Sequence, residues 1–300
     1  MPLIKPPDQR SRALGLLYIL LSAAGFGAMP IFAKLAYAEG VDLPTLLFLR
    51  FALAGGLMAA IMLTRGLYWP RGHSLWLLIA MGGIGYVGQA FCYFAALQHA
   101  TAGLTALLLY LYPVIVTLIS AWSMRQRLSP LRIAAVCAAL FGTGLAVGDS
   151  LDGSALGIAL GLGAAVIYSI YILIGEKATA AAGAIPSATV VMLSAAAVYG
   201  GALIWRGILL PGSIEGWAAV GSIALFSTVL AIVAFFAAMQ RLGAADAASL
   251  STLEPVITVL LAAIFLGEAI GVWQLVGGTI ILLAVVVLAR SRLPAPSPGN

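Results

Sequence analysis

The feature that most constrains this chain is a succession of long apolar runs separated by short polar turns. A helix that crosses about 30 Å of hydrocarbon needs roughly 20 apolar residues. Ten runs meet that requirement, at residues 13–35, 44–64, 74–97, 101–123, 131–148, 155–176, 186–206, 214–240, 244–266 and 272–290. They are apolar on every side, without the alternation of a membrane β-barrel. We therefore predict an all-α polytopic membrane protein with ten transmembrane helices.

The charge content supports a lipid environment. The sequence is 63% hydrophobic and 8% charged, whereas a soluble domain carries about 25% charged residues. The Lys and Arg residues that give the net charge of +5 lie in short segments between the apolar runs. They therefore indicate how the chain is oriented in the membrane, and we predict no nucleic-acid partner. If the N-terminus is inside, twelve Lys and Arg residues are cytoplasmic and only Lys34 and Arg206 are outside. We expect an inner (plasma) membrane protein with both termini cytoplasmic.

An internal repeat divides the chain into two halves. Pro255 follows Pro113 by 142 residues (255 − 113), and in that register residues 97–127 and 239–269 share ten identities over 31 positions. Because each half holds five helices, an odd number, the second enters the membrane inverted, as in many secondary transporters. The predicted parts are a cytoplasmic tail 1–12, a first five-helix repeat 13–148, an outer linker 149–154, a second five-helix repeat 155–290 and a cytoplasmic tail 291–300.

Several short sequences in these halves resemble a known family. They are FLRF at residues 48–51, LEPV at 253–256 and LGE at 266–268, after the ninth helix. With the five-plus-five arrangement they resemble the EamA-type drug/metabolite transporter superfamily, over residues 13–290. The resemblance implies a transporter, most similar to the branch that exports amino acids, including aromatic ones, and other metabolites. Two departures are Arg125-Gln126 in place of Gly-Glu, and Met192 at the repeat equivalent of Arg50.

Aromatic and polar residues recur on single faces of the predicted helices and describe one cavity. In lipid such residues face the bundle interior or a wet cavity, because an unsatisfied polar group costs several kcal/mol. The lining suits a small amphipathic solute, although tyrosines that only pack between helices would give the same pattern. The predicted substrate-binding residues are Phe26, Tyr86, Gln89, Tyr93, Tyr112, Tyr168, Tyr171, Ser251 and Glu254.

Charged residues inside the predicted spans have more than one interpretation. Glu254 lies ~15 Å into its helix at 1.5 Å per residue, where a charge costs at least about 2.5 kcal/mol. It either binds a substrate amine or a coupling proton, or it stays protonated against a neighbouring helix. Arg50 either meets a substrate carboxylate or, in the interpretation we favour here, pairs with Glu268 or Asp42. Lys34 is expected to snorkel to the membrane interface.

Three prolines are candidate hinges. Pro30, Pro113 and Pro255 all fall within predicted helices, where proline removes a backbone hydrogen bond and bends the helix. The duplication of Pro113 and Pro255 at matching positions predicts that helices 4 and 9 tilt during alternating access.

The function predicted from these features is export of small metabolites, chiefly amino acids including aromatic ones, by alternating access between the repeats. Efflux of cationic drugs and uptake of another small metabolite are alternatives. An intramembrane enzyme would need a nucleophilic or metal-ligand constellation. The two histidines, His73 and His99, fall in opposite loops, so we predict no catalytic residue, metal or cofactor. The expected partners are a small-molecule substrate and the bilayer, and a monomer suffices because one chain supplies the twofold relation.

Overall fold

The computed structural model describes residues 9–123, 128–148, 154–242, 247 and 250–290. The regular structure of these residues is helical throughout. The helices are α1 (Gln9–Ala38), α2 (Leu43–Thr64), α3 (Gly72–Ala96), α4 (Ala102–Ser123), α5 (Pro130–Gly148), α6 (Ala155–Ala182), α7 (Ala184–Arg206), α8 (Ile214–Leu242), α9 (Leu253–Leu266) and α10 (Val272–Arg290).

The all-α membrane fold is confirmed. Within the described ranges nine helices are long and apolar enough to cross a membrane, and α9 is a shorter apolar helix of 14 residues. The predicted linker and tails lie for the most part outside the described residues, as do Arg125 and Gln126.

The helices pack in reciprocal pairs. Helix α2 packs along α7 and α5 along α10, and each of these pairs joins repeat-equivalent helices. Helix α1 contacts α8 and α9, just as its equivalent α6 contacts α3 and α4. A twofold relation requires this reciprocity, because each surface that one repeat offers must meet its own equivalent on the other. The two repeats therefore bury each other's apolar faces.

A break interrupts helix α4, and a turn directly precedes helix α9. Helix α4 consists of two parts, Ala102–Leu109 and Tyr112–Ser123, and residues 251–252 form a turn directly before α9. Pro113 and Pro255 thus lie in the first turn of a helical segment, where a missing N–H is tolerated.

Two of our predictions about these helices are wrong. Residues 244–266 do not form one continuous helix, and Pro113 and Pro255 do not lie in helix interiors. The physical reason is that a proline ring clashes with the carbonyl four residues earlier, so the preceding helix stops there. For Pro113 that residue is Leu109, where the first part of α4 ends. Pro30 does lie inside continuous α1.

Helices α3 and α8 each contain a π-helical turn. These turns are Met81–Tyr86 and Leu225–Leu230, whose starts are separated by 144 residues (225 − 81) rather than 142. A π turn accommodates an extra residue and reorients the side chains beside it, and such turns are frequent at functional sites. The two turns lie in repeat-equivalent helices, so both halves of the protein depart from regular α-helix in the corresponding helix.

A carboxylate ties the helices together at the end of the bundle where α9 joins α10, which we call the far end. Glu268 Oε1 lies 3.2 Å from Lys34 Nζ and accepts a hydrogen bond of 2.8 Å from the Ala102 backbone N–H, while Oε2 accepts one of 3.3 Å from Gly103. A negative charge is favourable at the N-terminus of a helix such as α4. Lys34 thus pairs with a partly buried carboxylate, and its position relative to the membrane interface stays a prediction.

The α5–α10 crossing provides a test of this packing. A Cβ atom added to Gly142 would lie 2.7 Å from the Gly277 carbonyl oxygen, whereas one added to Gly144, two residues along α5, would meet no atom within 4 Å. We expect Gly142→Ala to destabilise the bundle by about 1–3 kcal/mol through overpacking. Gly144→Ala should leave stability unchanged or raise it. Thermal unfolding in detergent measures both variants, and equal midpoints would contradict the proposed backbone contact.

Candidate functional site

A cavity of about 670 Å³ lies between the two repeats. Small-molecule sites in proteins typically measure about 300–1,000 Å³. Its walls come from α1, α2, α3, α4, α6, α7, α8 and α9, and it extends to Ala184 and Met239, away from the far end. The side chain of Ser187, in the same wall, is buried and its hydroxyl has no hydrogen-bond partner among the described residues. The cavity wall therefore contains a hydroxyl that the described protein groups leave unsatisfied.

All of the predicted substrate-binding residues line this one cavity. They are Phe26, Tyr86, Gln89, Tyr93, Tyr112, Tyr168, Tyr171, Ser251 and Glu254. The structure brings them together, and their role in binding a substrate stays a prediction.

Repeat-equivalent residues from both halves line the cavity. Phe26 and Tyr168, which are 142 residues apart, both line it, and so do Tyr93 and Phe235. The cavity therefore lies where the two pseudo-symmetric halves meet. Sequence reasoning missed Phe235, although adding the repeat offset to Tyr93 would have found it.

One wall is a continuous surface of tyrosine rings. The rings of Tyr86, Tyr171, Tyr168, Tyr112 and Tyr110 follow one another with centroid separations of 5.6, 6.1, 4.9 and 5.9 Å. Such rings present apolar faces with hydroxyl groups at their edges. Sequence reasoning missed Tyr110, because a continuous helix would have directed it away from the face that carries Tyr112. The break in α4 brings both rings into the same wall.

Glu254 is held at one end of this wall by Tyr110. The Tyr110 hydroxyl oxygen lies 3.0 Å from Glu254 Oε2 and 2.6 Å from the Ser251 carbonyl oxygen. A hydroxyl has one proton to donate, and the carbonyl can only accept. The hydroxyl therefore shares its one proton between Glu254 Oε2 and the Ser251 carbonyl oxygen, both of which accept it.

The position of Glu254 in its helix does not offset the cost of a charge there. It is the second residue of α9, so the helix dipole favours its ionised form by about 0.3–1 kcal/mol, or ~2 kcal/mol in the best geometries. A carboxylate at membrane depth costs at least about 2.5–3.5 kcal/mol. Glu254 is half-buried and faces the cavity, so water, a proton or a cationic ligand has to supply the remainder.

Arg50 lies in the same cavity and is held by neutral groups. It is only 3% exposed. Its Nε donates to Thr228 Oγ1 at 3.2 Å and its Nη2 to the Tyr86 hydroxyl at 3.4 Å. The guanidinium carbon lies 4.9 Å from the ring centroid of Phe51 and 5.1 Å from that of Phe94. These contacts fix the guanidinium at the cavity wall by hydrogen bonds and cation–π contacts.

The ion pair that we favoured for Arg50 from the sequence is wrong. Glu268 pairs with Lys34 at 3.2 Å, and Asp42 lies 4.0 Å from Arg206. Both acids therefore already have cationic partners at the far end, and the side chain of Arg50 points to the cavity instead.

The described cavity residues carry one charge of each sign. Arg50 is the only cation and Glu254 the only carboxylate among them. Within the described residues no three His, Cys, Asp or Glu side chains are grouped as ligands of a metal ion. The arrangement can therefore bind a solute that carries an amine, a carboxylate and an apolar body.

Comparison with known sequences gives a consistent family match. The sequence model of the EamA-like transporter family matches residues 13–148 and again residues 155–290. The uncharacterized transporter YcbK of Bacillus subtilis is 28% identical over 286 residues, which cover 89% of this chain and 90% of that protein.

Two further relatives are named as exporters. The threonine/homoserine exporter RhtA of Salmonella typhimurium is 27% identical over 83% of this chain and 81% of its own length. The aromatic amino acid exporter YddG of Ancylobacter novellus is 31% identical over 49% of this chain and 55% of its own length. A solved crystal structure with 24% identity superimposes with a TM-score of 0.63 over 93% of this chain and 96% of the other. At that identity the likeness supports the fold alone.

The contact between Tyr110 and Glu254 can be tested without reference to a substrate. Tyr110→Phe removes the hydroxyl, and a hydrogen bond to a charged group contributes about 1.5–3 kcal/mol. We expect a loss of stability of that size in detergent. The loss should be smaller in a Glu254→Gln background, because the two side chains form one unit.

Tyr112→Phe is the matched control. The Tyr112 ring packs edge-on against Tyr168, and its hydroxyl makes no hydrogen bond with a described residue. Its removal should therefore change stability by less than about 0.5 kcal/mol. Equal losses for Tyr110→Phe and Tyr112→Phe would show that the hydroxyl contact with Glu254 does not matter.

Proposed function

The chain belongs to the EamA-like transporter family, and from that premise we propose that it exports zwitterionic amino acids, aromatic ones among them. Family membership makes it a multi-pass membrane transporter rather than an enzyme. The observation that carries the proposal is a cavity with one buried cation and one carboxylate in walls that are mainly aromatic and apolar. The exporter names of two relatives, for threonine and homoserine and for aromatic amino acids, agree with this substrate class.

The chemistry of the cavity supports a zwitterion. An α-amino acid carries an ammonium group, a carboxylate and a side chain of variable polarity. Glu254 offers a carboxylate to the ammonium group, and the tyrosine wall offers apolar ring faces to the side chain. The charges of solute and cavity then compensate, which reduces the cost of desolvating both.

Glu254 also provides a means of coupling transport to protons. Its carboxyl lies in the cavity wall, where a bound proton would remove the cost of a charge at membrane depth. A substrate ammonium group would bind the ionised carboxylate. The proton and the substrate amine therefore compete for Glu254, and such competition is sufficient for exchange of one against the other across the membrane.

The geometry supports alternating access. The far end is closed by Glu268, and the Tyr37 hydroxyl donates to the Phe94 carbonyl oxygen at 3.0 Å nearby. The cavity extends in the opposite direction, to Ala184 and Met239. With cytoplasmic termini in an inner membrane, as the distribution of Lys and Arg indicates, this conformation faces the cytoplasm. One chain supplies both repeats, so the transporting unit is a monomer.

Efflux of cationic drugs is the second candidate. The large tyrosine-lined cavity and Glu254 favour it, since a carboxylate and aromatic faces both attract cations. Arg50 in the same cavity opposes it, because a second positive charge there would be repelled. The zwitterion accounts for both charged residues and the cation for only one.

Export from proteoliposomes tests the proposed function. Vesicles that contain the full chain are loaded with labelled phenylalanine or threonine, and acidification of the outer solution should accelerate efflux several-fold, because each entering proton replaces a departing amine at Glu254. A lipophilic cation such as tetraphenylphosphonium is the comparison. If the cation leaves and neither amino acid does, drug efflux is correct instead. Glu254→Gln should abolish the response to pH, and a variant that keeps the full response would remove the coupling role.

The breaks near Pro113 and Pro255 are the proposed hinges, with Pro30 in α1 as a third. Replacement of Pro113 by Ala should allow the two parts of α4 to join, because the clash with the Leu109 carbonyl disappears. We expect a transport rate lowered at least about 10-fold, with binding affinity in detergent changed less than about 3-fold. Ala at Pro255 should act alike. Unchanged transport rates in both variants would contradict the hinge proposal.

A further inference from the structure

Arg50 is a buried cation without an anionic partner. Its side chain is 3% exposed, and the acids nearest to it in the sequence prediction pair with other cations, Glu268 with Lys34 and Asp42 with Arg206. A buried charge that lacks a counter-ion is strongly unfavourable, whereas a paired one is not. The neutral hydroxyls and rings around Arg50 orient the guanidinium but do not compensate its charge. An anion that enters the cavity would do so.

The two hydrogen bonds of Arg50 come from equivalent positions of the two repeats. Tyr86 and Thr228 are 142 residues apart (228 − 86), and each belongs to one of the π-helical turns. The guanidinium is thus held from both halves of the protein. Thr228 in turn donates to the Ile223 carbonyl oxygen at 2.8 Å, which keeps its lone pairs directed at Arg50. This preparation fixes the direction of the guanidinium fork.

Part of the fork remains available to a ligand. Nε and Nη2 have protein partners, while Nη1 has no hydrogen-bond partner among the described residues. Arg50 lines the cavity, so this nitrogen is the one that a solute can reach. A guanidinium with a free edge is the usual partner of a carboxylate or phosphate oxygen.

We propose that Arg50 is the residue that binds the substrate's carboxylate and thereby restricts the cavity to solutes with a free carboxylate. This inference rests on the proposed function and specifies its substrate class. A monoanionic carboxylate matches the single cation of the described cavity residues, whereas a phosphate dianion would leave a negative charge uncompensated. The equivalent position in the second repeat is Met192, which also lines the cavity, so the described lining has one anion-binding position and not two.

The test varies the protein and the ligand together, so that the effect of removing Arg50 can be compared with the effect of removing the ligand's carboxylate. Binding of phenylalanine, of phenylalaninamide and of 3-phenylpropanoate is measured on the full chain in detergent, by shifts in thermal unfolding and by competition. The amide lacks the carboxylate and the propanoate lacks the amine. Wild-type protein should prefer phenylalanine over the amide by about 10- to 100-fold, the size expected for a charge-assisted hydrogen bond. Arg50→Met, which installs the residue of the equivalent position, should remove that preference.

Each outcome distinguishes the inference from the proposed function. If Arg50→Met weakens the binding of phenylalanine and of its amide by the same factor, Arg50 only positions Tyr86 and Thr228. The inference is then wrong. If wild-type protein binds 3-phenylpropanoate in an Arg50-dependent way but exports no amino acid, the carboxylate site is correct and the proposed function is not. If none of the three probes binds, the inference is wrong, and export of labelled threonine then decides the proposed function separately.

Arg50→Lys keeps the test decisive if Arg50→Met does not fold. Lysine retains the charge but loses the planar fork and the hydrogen bonds on two sides. The preference for phenylalanine over the amide should then fall to about 3- to 10-fold without disappearing. A preference equal to that of wild-type protein would mean that the guanidinium does not contact the carboxylate.

Discussion

Hydrocarbon offers no hydrogen-bond partner, and this constraint decides where the polar side chains of the bundle lie. Hydroxyls on single helices donate to their own backbone, as Thr117 does to the Pro113 carbonyl oxygen and Thr143 to that of Ala139, each at 2.8 Å. Larger polar groups cannot be satisfied in that way. They gather where the two repeats meet, and the cavity forms there because its walls contain the groups that lipid would not accept. The fold and the candidate site therefore have the same physical origin.

Much of this arrangement could be predicted from the sequence because lipid leaves a strong signal. A helix surrounded by hydrocarbon is apolar on every side, so the spans are visible as runs of about 20 residues. The 142-residue offset then relates the halves, and stripes of tyrosine at helical spacing indicate which faces point inwards. The predicted cavity residues were found together for that reason. Tyr86 on α3 and Tyr168 on α6, for example, are far apart in sequence, but both are polar groups that lipid excludes.

The wrong predictions concern where helices α4 and α9 break and which groups contact Arg50. A proline acts on the residue four positions earlier, so the breaks lie before Pro113 and Pro255, and Tyr110 turns into the wall as a result. Counting residues along a helix gives the depth of Arg50 but not which helix it faces, so acids at a similar level were mistaken for its partners. The π turns left no recognisable pattern in the sequence. Their starts are two residues out of the repeat register, and a simple offset cannot reveal them.

The exchange of residues between the halves has a consequence for the path of a solute. Arg50 faces the cavity where its counterpart is Met192, and Glu254 faces it where its counterpart is Tyr112. Two identical repeats would create an electrostatic field that a half-turn leaves unchanged. A dipolar molecule could then bind in two equivalent poses. Here the field has a direction. A solute with opposite charges at its ends has one pose of lowest energy, and the fused chain thereby achieves an orientation that a symmetric dimer of either half could not impose.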